Sequence, residues 1–271
     1  MLDEANIRAG DTDPRAKASA RQTRAPSAST LDHNHGFISI ARGYGGLLDG
    51  PRLLVECCHS MISDDQQDLL DSLDGIAYVV DRDLVIRAVS RSAWRKFAVD
   101  NDGASVADTR AVIDRPLELF VSGEEVWRLY CEHLEALEQQ GPAARSVFAF
   151  RCDSPDKRRE MRMAISPLIL RGQHSGWLFH SVIWEEVSRP PMGLFDYSDL
   201  MSRLASETGA PALRMCSICQ NVVDPAGVSG SGDRWIDATE YYRRGGQEDV
   251  VITHGICPGC YEKVKPSAAT A

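Results

Sequence analysis

The chain reads as an α+β protein: an antiparallel sheet domain with helices, followed by a small module built around four cysteines. Two observations predict this. Between residues 64 and 187, two β-branched runs, several helical stretches and three more strand-like runs follow one another. That order suits one sheet carrying its helices between its strands. Near the C-terminus, four of the eight cysteines fall into two identically spaced pairs, Cys216/Cys219 in MCSICQ and Cys257/Cys260 in HGICPGCYE. Two such knuckles offer four soft thiolates, a complete tetrahedral set for one Zn²⁺.

The elements follow in order. Residues 1–63 form an N-terminal extension. Its first 30 residues hold almost no large apolar side chains to offset chain entropy and read as disordered. The rest carries apolar clusters broken by glycines and reads as loosely docked; adjacent Cys57 and Cys58 do not suit one compact metal site. The sheet domain spans 64–187. DDQQDLLDSL predicts a short helix with Leu69, Leu70 and Leu73 as an apolar edge. IAYVVD (76–81) and LVIRAVS (84–90) flank Arg82-Asp83 and predict a tight hairpin. SAWRKFAVDNDG reads as a helix.

The clearest helix is 124–140, where Val126, Leu129, Tyr130, His133, Leu134 and Leu137 recur at spacings of three and four. Ser122 and Glu125 predict a capping box at its start, and Gly141-Pro142 a stop. Strands are expected at 146–152, 160–168 and 176–184. The turn DSPDKRR between the first two contains Asp156-Lys157-Arg158-Arg159, read as solvated, with docking of an acidic partner as the secondary reading. Met161, Met163 and Ile165 alternate with Arg162 and Ala164, the pattern of a half-buried strand. Tyr78, Val80, Phe148, Phe150, Met161, Met163 and Ile165 are expected, in part, to face helix 124–140, filling the space there. Residues 188–211 read as a linker, with a proline-rich break and a short helix in YSDLMSRLASETGAP. The cysteine module covers 212–266, and 267–271 is a tail.

The order of elements over 66–187, and the entry IAYVVDRDLVIRAVSRSAW, resemble a PAS domain, a five-stranded antiparallel sheet cupped by helices. RCDSPDKRREMRM (151–163) is similar to a run in bacterial PAS-like proteins that bear a C-terminal four-cysteine segment. The final segment resembles such a module more specifically: CxxC, then Trp235, Glu240 and Tyr241, then His254, Gly255 and Pro258 around HGICPGC. The resemblance implies a bacterial-type signalling protein that senses or dimerises through the PAS-like domain and contacts a partner signalling protein.

The chemistry of the residues points the same way. A core this small rarely stabilises itself. Structural zinc supplies about 10–16 kcal/mol of apparent binding energy that becomes folding energy. Four protein ligands leave no open position for substrate water, so Zn²⁺ at Cys216, Cys219, Cys257 and Cys260 is read as structural, in a treble-clef or ribbon-like arrangement. His254 lies three residues before Cys257 and is a candidate to support a thiolate without ligating the metal. His133 lies on the apolar stripe of helix 124–140. Its favoured reading is a packed histidine, and by the resemblance its minor reading is an axial ligand to haem.

No phosphate-binding GxxxxGK[ST], HExxH or GxSxG motif occurs, so a non-enzymatic protein is expected. A net charge of −9 argues against broad nucleic-acid binding. No signal-like segment or run of about 18 apolar residues is present, so a cytoplasmic, membrane-free protein with reduced thiols is expected. Two alternatives stand beside this reading: a zinc-finger transcription regulator that binds DNA, and a thiol redox protein using a CxxC pair.

Overall fold

Alternating side chains along the long strands set the architecture. In the computed structural model, residues 61–101, 103–196, 212–227, 233–248 and 250–266 are described. The chain divides into two units, 1–33 and 34–271, and every described residue lies in the second. The expectations for residues 1–60, for the helix after residue 196 and for the tail lie outside the described residues.

Five strands, β1 (Ile76–Asp81), β2 (Ile86–Val89), β3 (Ser146–Arg151), β4 (Lys157–Leu170) and β5 (Gln173–Ser188), form one antiparallel sheet in the order β2-β1-β5-β4-β3. Arg171 and Gly172, both at positive φ, close the β4–β5 hairpin as a two-residue turn whose twist matches the strands. At Gly176 a Cβ would lie 2.0 Å from the Val80 carbonyl oxygen, so only glycine lets β5 approach β1 there.

The predicted alternation of β4 is present: Met161, Met163 and Ile165 are buried on one face. Helices α1 (Asp64–Asp71), α2 (Arg91–Asp100), α3 (Ala104–Ala107) and α4 (Glu124–Gln140) surround the sheet. The α4 stripe buries Val126, Leu129, His133, Leu134 and Leu137 in a cluster with Val80, Phe148, Met163, Ile165 and Phe179. Rings fill the layer between helix and sheet. Tyr78 stacks on Phe179 at 4.8 Å, Tyr130 on Phe179 at 6.0 Å and His133 on Phe148 at 5.0 Å. Each such pair contributes about 0.5–1.5 kcal/mol beyond its buried area.

The opposite face is covered near β1 and β2, where Ile62 and Leu70 pack with Ala77, Val79 and Ala88, and Met61 and Leu73 join them. Of the apolar edge expected on α1, therefore, Leu70 and Leu73 turn inward and only Leu69 is exposed. Towards β3 the apolar side chains Val147, Trp184 and Val187 remain exposed, with the Arg162 guanidinium 3.8 Å above the Trp184 ring.

Two local expectations are corrected. The N-cap of α4 is Gly123 at φ 90°, without a side-chain cap, and Glu125 does not close a capping box with Ser122. Instead its carboxylate reaches the cysteine module, where tertiary partners outcompete a local cap. The basic run 157–159 is not a solvated turn. It begins β4, and Arg159 is buried between Glu186 (Nε–Oε2, 2.7 Å) and Asn101 (Nη1–Oδ1, 2.5 Å).

The C-terminal part holds a second, mixed sheet of β6 (Ala212–Cys216), β7 (Val222–Val223), β8 (Trp235–Ile236) and β9 (Val251–Gly255), ordered β8-β7-β6-β9 with β6 and β9 parallel. Helices α5 (Ala238–Arg243) and α6 (Pro258–Val264) complete it. Leu213, Met215, Val222, Ile236, Tyr241 and Ile252 form its core together with Leu194 and Phe195. The described part of the stretch expected as a linker thus contributes two core side chains, and Arg189 lies 4.2 Å over the Phe195 ring.

Candidate metal centre

Cys216 is the last residue of β6, and Cys219 lies in the turn that follows. Cys257 is the N-cap of α6, whose first turn begins with Pro258, and Cys260 follows within that turn. Parallel pairing sets Cys216 beside Gly255, which brings the two knuckles together. The four sulfur atoms all lie within 4.8 Å of one another. Zn–S bonds of about 2.3 Å in a tetrahedron place sulfurs about 3.8 Å apart. Cys219 and Cys257 are 3.9 Å apart, the spacing of co-ligands rather than of a disulfide.

The surrounding amides suit thiolates. The Cys257 N–H donates to Cys216 Sγ at 3.3 Å. The Cys216 thiol is drawn down to about 5, first by the Cys219 thiol bonded to it and also by the N–H groups of Cys257, Cys219 and Ile218. Cys219 is pushed up because it shares a proton with Cys216, and burial pushes Cys260 up to about 12. One negative charge is thus already favoured among four thiols, and a divalent cation is what would let all four ionise. Four sulfurs with N–H donors behind them fit a metal ion of zinc's softness and geometry.

The structure brings together all four cysteines expected as ligands. His254 is not among the clustered donors; it lies on β9, its Nδ1 is buried without a partner, and burial draws its pKa down to about 4. His133 stands on α4, where Nδ1 is 2.8 Å from the Ser146 hydroxyl and Nε2 is buried without a partner. Burial holds its pKa below the usual value, against Glu132 and the Val264 backbone, which act the other way. Cys131 and Cys152 stand apart from the cluster, and burial raises both thiols, Cys152 to about 11.

Several residues that hold the knuckles were not singled out by the sequence. Arg151 donates its backbone N–H to the Ile218 carbonyl (2.8 Å) and Nη1 to the Cys219 carbonyl (3.0 Å). The Asp153 N–H donates to Gln220 Oε1 at 3.1 Å. Glu125 accepts from the Ile256 N–H at 3.0 Å and from Arg214 at 2.7 Å. Burial would raise the Glu125 carboxyl, but these two donors hold it below the usual carboxylate value. In the sequence, the spacing Ser122–Glu125 marks Glu125 for a different role, and Arg151 and Asp153 stand in the run 151–163, noted for its resemblance alone.

A comparison with protein-family models gave no match, and none of the curated proteins compared with the chain matched it. Among the described residues no helix is long and apolar enough to cross a membrane.

Proposed function

We propose that this chain is a non-enzymatic regulator in which a metal-stabilised module is built onto a sheet domain. More particularly, it is a cytosolic signalling protein of the bacterial PAS kind, whose C-terminal treble-clef or ribbon-like module holds one structural Zn²⁺ on Cys216, Cys219, Cys257 and Cys260. The observation that carries this reading is the closed set of four sulfurs, all within 4.8 Å and backed by N–H donors. Such a site has no open coordination position and so favours stability over hydrolysis. The PAS assignment is supported by the five-stranded antiparallel sheet with α4 lying across it. The layer packed with aromatic rings favours a domain that works through protein contacts over one that holds a large ligand. The exposed Trp184 and Val187 of β5 offer apolar surface to a second copy or a partner signalling protein. Arg214, Arg243 and Arg244 of the module are each paired with carboxylates, which disfavours the DNA-binding alternative.

Elemental analysis of the purified full-length chain, with thiol titration, tests the metal. One zinc per chain with the four C-terminal thiols protected supports the reading. A metal-free protein that forms a reversible Cys216–Cys219 disulfide supports the redox alternative, which the lowered Cys216 pKa favours. An absorbance spectrum of protein purified with haem supplied tests the minor reading of His133 as a haem ligand. A colourless product removes that role.

A further inference from the structure

We propose that Glu125 and Arg151, both outside the cysteine module, are positioning residues of the metal site. They hold the two knuckles at the separation a tetrahedral ion requires, and so couple metal occupancy to the packing of α4 and β3. The proposal rests on the metal reading above and adds what controls that site.

Arg151 acts on the first knuckle. It binds two successive carbonyls there, Ile218 through its backbone N–H and Cys219 through its guanidinium. The Ile218 carbonyl shares its peptide with the Cys219 N–H, and the Cys219 carbonyl shares its peptide with the Gln220 N–H, which donates to the Cys216 carbonyl at 2.8 Å; binding both carbonyls to β3 therefore fixes the two peptides that flank Cys219. Arg151 is itself fixed by ion pairing to Asp153, whose fully buried carboxylate also binds Arg189 at 2.7 Å. The Asp153 backbone then holds the Gln220 side chain, one residue beyond Cys219. Gln220 has φ 56°, the left-handed bend that reverses the chain after the knuckle.

Glu125 acts on the second knuckle and on the strand that feeds the first. Its Oε2 accepts from the Ile256 N–H, the peptide just before Cys257, whose own N–H crosses to Cys216 Sγ. Both Glu125 oxygens also bind Arg214, two residues before Cys216. Gly255 makes this possible, since a Cβ there would lie 2.5 Å from Arg214 Nε. One carboxylate on α4 therefore fixes β6 and β9 just ahead of the first cysteine of each pair. Further along α4, Tyr261 of α6 donates to Glu132 at 3.1 Å. Cys216, Cys257, Cys260 and Val264 belong to the same buried cluster as Leu129, Leu134 and Phe148. Groups that support ligands from behind typically change metal affinity 10–100-fold when removed. Linkage makes the effect reciprocal: if the sheet domain tightens the metal, the metal tightens the sheet domain.

The test uses the full-length chain. Co²⁺ binding is read from thiolate charge-transfer and d–d absorption, and Zn²⁺ affinity from competition with a chromophoric chelator. Arg151→Ala and Glu125→Ala are expected to weaken binding about 10–100-fold. Their saturated d–d spectra should equal the wild type's, because the four ligands are untouched. Arg151→Lys, which keeps the charge but not the fork, should fall between. Glu138→Ala, on the same helix as Glu125, removes an exposed ion pair with Arg82 of the β1–β2 turn and should leave affinity unchanged. In parallel, hydrogen exchange on the wild type with and without chelator should show metal-dependent protection in α4 and 146–151. Unchanged affinity in both alanine variants, or protection of α4 and β3 indifferent to metal, overturns the proposal. Should the variants fail to fold, the wild-type exchange experiment decides alone. A wild type that takes up neither Co²⁺ nor Zn²⁺ rejects the metal reading itself, which is a separate outcome.

Discussion

Cys257 serves two structural roles at once. It caps α6, donates its N–H to Cys216 Sγ and sets its sulfur 3.9 Å from Cys219 Sγ, so its side chain and its amide bridge the knuckles. Cys257→Ser in the full chain is expected to abolish stoichiometric metal binding and to cost more than about 4 kcal/mol, the range typical of a lost metal. Elemental analysis and thermal unfolding of the variant read both effects. Retention of metal with an unchanged midpoint would count against the site. His254 predicts a pH dependence. Its folded pKa, about 4, lies below the unfolded value of 6.5, because burial disfavours the imidazolium. Its contribution is fully present above pH 6.5 and is lost as pH falls towards 4, at most about 3 kcal/mol. Between those limits the urea midpoint of His254→Gln should fall less steeply with pH than the wild type's. Equal slopes would show that thiolate protonation alone sets the acid limit.

At the scale of the element, the start of α4 shows a local rule yielding to a tertiary one. The spacing Ser122–Glu125 is a good capping box, yet the N-cap of the helix is Gly123, at φ 90°. A Cβ at Gly123 would lie 2.7 Å from the His254 carbonyl oxygen, so the glycine is required by the close passage of β9. Gly123→Ala should therefore do more than strain one residue. Strain at such a φ costs about 1–3 kcal/mol, and the clash should also lift β9 from α4. Urea unfolding should show the stability loss, and chelator competition a weaker metal. A stability loss with unchanged metal affinity would confine the effect to backbone strain. The strand β4 gives the converse lesson. Its alternation at 161, 163 and 165 was legible, because a half-buried strand writes its period into every second residue. Its start was not legible, because Arg159 looks solvated until Glu186 and Asn101 are brought to it by folding.

For the whole molecule, the shared buried cluster is the decisive feature. It joins α4 and β3 to Cys216, Ile218, Ile256, Cys257, Cys260 and Val264. Leu194 and Phe195, which follow β5, are buried in the module's own core. Unfolding of the described parts should therefore follow one cooperative transition, not two. Calorimetry of metal-loaded protein should show coincident loss of sheet-domain and cysteine-module signals, and chelation should lower that single midpoint. Two resolved transitions would mean that the modules are independent. Association is a further property at this scale. The exposed Trp184 and Val187 of β5 predict that Trp184→Glu lowers the mass of any dimer seen by light scattering at tens of micromolar. A wild type already monomeric there would remove the dimer.

The sequence by itself determined the mixed α+β class, the bounds of β1 and α4, the buried face of β4 and the identity of the four clustered thiols. Each depends on short-range regularity: strand alternation, helical spacing, and CxxC pairs that form knuckles locally. Tertiary structure alone decided that the module is docked on the sheet domain, that Glu125 serves the cysteine knuckles rather than its own helix, and that Arg151 and Asp153 support the first pair. Those contacts join residues as far apart as Glu125 and Ile256, 131 positions along the chain. No local periodicity records such a pairing, because a carboxylate and a distant amide become partners only after burial removes the water that would otherwise satisfy both.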